Sequence, residues 1–173
     1  MFLARKISRA KWEPGDDLNE GELPADAVTV DLRTQDNALS FWRCENASKD
    51  HVERAALAIA AAAERIDKLD VVWVAEGDLQ TDELHIEQTD GRTPIADMVA
   101  NHIDVQRLDY TRLGKVASRV ARALAEQNHR RLTKKSVRRL LVAAVQANAL
   151  SLDGLDEKLR QEVSLALETV SPK

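Results

Sequence analysis

Residues 49–75, KDHVERAALAIAAAAERIDKLDVVWVA, decide the fold class. Val52, Ala55, Ala56, Ile59, Ala62, Ala63 and Ile66 recur at i, i+3, i+4 spacing, which predicts a helix with one apolar face over Lys49 to Ile66. Ser48 stands just before it and can offer its hydroxyl to a free backbone N–H of the first turn. Alanine along that face lets the helix axis lie close to a sheet. Val71-Val72-Trp73-Val74-Ala75 is β-branched and does not alternate, as expected of a strand covered on both faces. The stretch therefore predicts a sheet with an alanine-rich helix packed on it.

Toward the N-terminus, Phe2 to Ile7 reads as a short strand. Glu13 to Ala27 is polar, holds Pro14, Gly15, Gly21 and Pro24, and reads as a surface loop. Val28 to Arg33 alternates apolar and polar residues, the pattern of a half-buried strand. Turn residues Gln35-Asp36-Asn37 join it to a second strand, Leu39 to Glu45, as a hairpin. After Ala75, the acids from Glu76 onward form a loop before a strand at Leu84 to Gln88.

Beyond residue 92 the periodicity is helical. Thr93-Pro94 suits a cap and first helical position, with a helix running to Asn101. A helix from Asp109 places Leu113, Val116, Ala117, Val120, Ala121 and Leu124 on one face, until Asn128-His129 breaks it. Thr133 caps the next, with Val137, Leu140, Leu141, Ala144 and Val145 inside. Asp153 caps the last, with Leu155, Leu159, Val163, Ala166, Leu167 and Val170 inside. The expected architecture is α+β: a mixed four- or five-stranded sheet with one alanine-rich helix in residues 1–92, then a bundle of three to four helices in 93–173. The two regions are expected to pack as one compact unit.

Composition narrows the class. A chain of 173 residues with 44% hydrophobic and 31% charged residues builds an ordinary globular core without disulfide or metal staples. The single cysteine, Cys44, can form no intrachain disulfide, which agrees with a reducing, cytoplasmic location. The N-terminus lacks an apolar run of signal-peptide length, and the most apolar stretch, Ala55 to Ala63, is too short to cross a bilayer. No membrane association is expected.

The functional pointer is charge segregation. Tyr110 to Leu140 carries +9, residues 1–109 carry −11 and residues 141–173 carry −2. The ten cations are Arg112, Lys115, Arg119, Arg122, Arg130, Arg131, Lys134, Lys135, Arg138 and Arg139, against one acid, Glu126. A field of this density attracts a polyanion or an acidic surface. Arg112, Lys115, Arg119 and Arg122 share one side of their helix without opposite-charge partners at i+4, apart from Glu126 after Arg122. Lys134 and Lys135 stand in a first helical turn, where each cation costs roughly 0.3–1 kcal/mol at low salt. That helix end also presents free N–H groups to an anion.

Three readings of the anion follow. One is nucleic-acid phosphate, in a helix, short connection, basic helix order compatible with a helix-turn-helix. The second is an acidic partner protein. The third is this chain's own acidic half, rich in carboxylates from Asp67 to Asp90, met within one chain or across a homodimer.

Catalytic signals are weak beside this. His51, His85, His102 and His129 stand singly, and the six glycines form no phosphate loop. Cys44 reads as a small buried residue, and Trp12, Trp42 and Trp73 as core rather than a base-stacking surface. No cofactor and no metal are expected. The expected function is a non-enzymatic interaction protein that binds nucleic acid mainly through phosphates. The alternative is an adaptor or regulatory subunit whose basic helices hold an acidic partner or mediate self-association.

Overall fold

The structure, a computed structural model, describes residues 1–13, 18–19 and 22–170. Along the chain run β1 (Phe2–Ile7), α1 (Ala25–Asp31), β2 (Leu39–Cys44), α2 (Lys49–Ala61), β3 (Leu69–Ala75), α3 (Glu76–Thr81), β4 (His85–Gln88), β5 (His102–Gln106), α4 (Tyr110–Ala125), β6 (His129–Leu132), α5 (Lys134–Gln146) and α6 (Glu157–Val170). Short 3-10 helices occupy Arg9–Lys11, Ala96–Asn101 and Leu152–Gly154. The fold is α+β, with one six-stranded sheet in the order β4-β5-β2-β1-β3-β6.

Helices cover both faces of the sheet. Ala4, Trp42, Cys44, Leu69, Val71 and Trp73 pack on one side with residues of α2, α5 and α6. Leu3, Ile7, Phe41, Val72, Val74, Ile103 and Val105 pack on the other with Ala27 of α1, Leu79 of α3, and Val116, Ala117, Val120 and Ala123 of α4. β3 is buried over almost its whole length because both layers press on it. That matches the unalternating pattern of Val71 to Ala75. Val52, Ala55 and Ala56 of the expected α2 face are buried in the core, but toward the end of the helix Ala58, Ala60 and Ala61 are buried instead, while Ile59 is half-buried and Ala62 is exposed.

The sheet is antiparallel throughout the described residues rather than mixed. The crossover from β2 through α2 to β3 does return the chain in a parallel sense. However, β1 lies between those two strands and pairs antiparallel with each, so the parallel pair never touches. Two strands beyond the expected set, β5 and β6, raise the count to six. The boundary at residue 92 falls between β4 and β5, which pair with each other.

Several local expectations are corrected. Val28 to Arg33 is not a strand: α1 covers Ala25–Asp31, and Leu23, Ala27, Val28 and Leu32 pack on the core at helical spacing. The Glu13–Ala27 loop includes residues 14–17 and 20–21, which lie outside the described residues. The acidic loop after Ala75 is helix α3, whose acids Glu76 and Asp78 in the first turn suit the helix dipole and whose Leu79 is fully buried. The helix expected at Pro94 is a 3-10 helix that buries only Met98. α2 ends at Ala61, five residues short of Ile66, and the Ile66 N–H bonds Glu162 at 3.1 Å.

The largest correction concerns the bundle. α4 does not pack beside α5 and α6. It lies across the sheet from them, because β6 carries the chain along the sheet edge and over to the opposite face. The connection expected to be the turn of a helix-turn-helix is therefore a strand.

Candidate anion-binding surface

The ten cations divide into three groups by where the backbone puts them. On α4, the Asp109 carboxylate caps the helix by accepting the Arg112 N–H at 2.8 Å, and the Arg112 guanidinium bonds the same carboxylate at 3.0 Å. One and two turns further, the side chains reach across to α3. Arg119 grips the Asp82 carboxylate through Nε at 2.7 Å and Nη2 at 2.8 Å, and lies 3.6 Å from Asp78. Lys115 Nζ donates to the Asp82 carbonyl at 3.0 Å. The hydrogen bonds from Arg119 hold the Asp82 carboxyl below its ordinary range, with burial opposing and Lys115 and Arg122 adding to the pull. The Arg119 guanidinium is raised in turn. The basic face of α4 thus meets carboxylates of its own chain.

On β6, neighbouring residues point to opposite faces. Arg130 bonds Glu53 of α2 at 2.7 Å on one side. Arg131 pairs with the buried Asp70 of β3 at 3.0 Å on the other. His129 sits in this pairing, and burial, followed by the charge of Arg9, pushes its pKa down. It therefore carries less positive charge at a given pH than a free imidazole and adds little to the basic cluster.

On α5, the picture differs. The Thr133 hydroxyl caps the helix by accepting the Ser136 N–H at 3.1 Å. Lys134, Lys135, Arg138 and Arg139 follow, all exposed. Among the described residues none of the four makes an ion pair. The spacing i, i+1, i+4, i+5 puts them side by side over two turns. Arg122 of α4 is exposed and outside any ion pair too, but it lies on the opposite side of the sheet.

Beside those four cations runs a groove of about 400 Å³ between α5 and α6. Val142, Ala143 and Ala166 give it an apolar lining, Lys135, Arg138 and Arg139 a charged one, and Ser136, Gln146 and Thr169 complete it. Sequence periodicity could not reveal these lining residues. They belong to two helices whose juxtaposition is tertiary, and alanines carry no chemical signal of their own.

The remaining reactive side chains are structurally committed. Cys44 is buried and its pKa is pushed up to about 11 by burial, so it holds little thiolate at neutral pH. All three tryptophans are in the core, with Trp12 donating its indole N–H to Asp31 at 2.8 Å. Thr89 has one hydroxyl proton, which goes to Asp104 at 2.9 Å. His102 Nδ1 is then the donor to Thr89 at 2.8 Å. Among the described residues no group of three or more His, Cys, Asp or Glu is placed to hold a metal ion. No helix there is long and apolar enough to cross a membrane.

No protein-family model matches this chain, and no curated protein or solved structure matches it.

Proposed function

We propose that this chain is a non-enzymatic interaction protein that holds an acidic protein surface on α5, through Lys134, Lys135, Arg138 and Arg139. A single observation carries the reading. These four neighbours lack a carboxylate partner among the described residues, whereas Arg112, Arg119, Arg130 and Arg131 are each paired within the chain. Like charges at i, i+4 and cations in a first turn both weaken a helix. An anion from outside offsets that cost.

Nucleic acid is the second reading. The exposed first turn of α5, with its free N–H groups and flanking cations, suits a phosphate. It is the weaker of the two because a nucleic-acid track gains from many phosphate contacts in a row. The ten cations are divided between the two faces and one edge of the sheet, which leaves four together.

The test is a fluorescence anisotropy series with poly-L-glutamate, a 20-bp DNA duplex and a single-stranded RNA at rising salt. The wild-type chain is compared with the quadruple variant Lys134→Glu, Lys135→Glu, Arg138→Glu, Arg139→Glu. Salt-sensitive binding of polyglutamate that the variant loses supports the acidic-partner reading. Tight binding of the nucleic acids with none of polyglutamate favours the second reading. If every probe binds the variant as well as the wild type, both readings fall.

A further inference from the structure

We infer that the groove between α5 and α6 is a docking site for an amphipathic helix of a partner protein, acidic at the end that lies over Lys135, Arg138 and Arg139. This rests on the acidic-partner reading and specifies how the partner is held.

The groove's shape selects a helix. Lys135, Arg139, Val142, Ala143 and Gln146 form one face of α5 over three turns, about 16 Å at 1.5 Å per residue. Ala166 and Thr169, one turn apart, supply the opposing wall from α6. Helix side chains line both walls, so no sheet edge is present to pair with an extended peptide. A helix satisfies its own backbone and needs only side-chain contacts, which is how amphipathic helices bind such grooves. The small side chains at Ala143 and Ala166 leave room for leucine-sized residues at i, i+3 or i+4, and i+7.

Charge selects the partner's sign and polarity. Along α5 all three cations come before Val142 and Ala143, and the last lining position of that helix is the uncharged Gln146. An acidic cluster at one end of the incoming helix therefore meets them, with the apolar stripe beyond it on Val142, Ala143 and Ala166. The lining contains no aromatic residue on which a base could stack, so the groove itself does not suit a nucleic acid.

The experiment is an amide NMR titration of the labelled protein with two synthetic 14-residue peptides. Both carry leucines at helical spacing, one with glutamates in its first turn and the other with glutamates in its last. A lysine-for-glutamate peptide is the control. Shifts at Val142, Ala143, Gln146, Ala166 and Thr169 with one acidic peptide and not the control support the inference. Ala143→Trp, an exposed position filled with a bulky side chain, should then weaken binding at least tenfold while circular dichroism stays unchanged.

Shifts confined to 134–139, or undiminished binding by Ala143→Trp, overturn the groove and leave the acidic-partner reading standing. No shift on α5 with either peptide or with polyglutamate overturns both. Concentration-dependent shifts at the groove without peptide, with a doubled mass by light scattering, would make a second copy of this chain the occupant and overturn the inference.

Discussion

Arg119 holds Asp82 through two parallel hydrogen bonds of 2.7 and 2.8 Å, tying the middle of α4 to the end of α3. The two residues are 37 positions apart and belong to the oppositely charged parts of the chain. What reads in sequence as a repelling row of cations on α4 is, at this point, an internal dock. Part of the basic segment is thus paired within the chain, whereas Arg122 on α4 and Lys134, Lys135, Arg138 and Arg139 on α5 are exposed and make no ion pair among the described residues.

Breaking that dock should cost stability in a pH-dependent way. The folded Asp82 carboxyl titrates below its unfolded value, so its contribution is fully present above the ordinary carboxylate range. It is lost as pH falls through the folded value. Asp82→Asn should lower stability by about 1 kcal/mol at pH 7, near the upper end for a partly exposed pair. The difference from wild type should shrink toward pH 3. Urea unfolding at both pH values checks this, and an unchanging difference would count against the ion pair as its source.

A second network holds the far end of β1. Asp31 is buried and accepts the Ser8 N–H at 2.7 Å and the Trp12 indole N–H at 2.8 Å. Arg5 donates to the Asp31 carbonyl at 2.8 and 3.0 Å and to the Ser40 carbonyl. The ladder between β1 and β2 stops at Ala4 and Trp42, so the guanidinium bridges the strands where they part. Burial lowers its pKa to about 10, which leaves it charged at neutral pH. Asp31→Ala should destabilise by roughly 2–3 kcal/mol, because it leaves the buried Trp12 indole N–H and the partly buried Ser8 N–H unpaired. Asp31→Asn, which keeps an acceptor, should lose less. Chemical denaturation followed by tryptophan fluorescence separates the two.

The cations opening α5 set stability against binding. Lys134→Glu with Lys135→Glu replaces two first-turn cations by anions and should stabilise the fold by about 1 kcal/mol. For a chain of this size that raises Tm by roughly 2–4 °C. Binding of polyglutamate should fall in the same variant. A lower Tm would show that these lysines are held by contacts within the chain.

Gly91 is set by space. A Cβ there would lie 2.5 Å from Trp42 Cη2 and 2.8 Å from His102 Cβ. These two rings pack edge to face at 5.1 Å. Gly91→Ala should destabilise by about 1–3 kcal/mol through overpacking. It should also alter the near-UV circular dichroism of the tryptophans. Unchanged spectra and stability would mean that the rings shift freely.

Cys44 should be inert while the chain is folded. With its pKa near 11, a thiol reagent at pH 8 should react only as the protein unfolds. Rapid labelling under native conditions would contradict the burial.

Much of the fold was legible where one side of an element meets one layer of core. α2, α4, α5 and α6 follow from apolar spacing, whereas β3 follows from an unbroken apolar run that both layers cover. Of the expected caps, Thr133 accepts the Ser136 N–H, whereas Ser48 makes no side-chain cap and Asp153 lies in a 3-10 helix, α6 starting at Glu157 after Asp156, which accepts the Lys158 N–H. β5 carried a readable alternation, His102-Ile103-Asp104-Val105-Gln106, with Ile103 and Val105 buried. β6 did not: it buries Leu132 alone, and its arginines find their partners on other elements. α1 misled because Val28-Thr29-Val30 alternates locally, while its helical stripe is visible only when Leu23 and Leu32 are included.

The sequence by itself determined the α+β class, the buried central strand and the concentration of positive charge between residues 110 and 140. These depend on local spacing and composition. Tertiary structure alone decided which cations share a surface. β6 occupies a sheet edge, so the helices before and after it lie on opposite faces, and charges contiguous in the chain are separated in space. The carboxylates that pair with Arg119, Arg130 and Arg131 come from α3 and its end, α2 and β3, tens of residues away, and the groove beside Lys135, Arg138 and Arg139 exists only where α5 meets α6. Spacing along one chain records neither relationship.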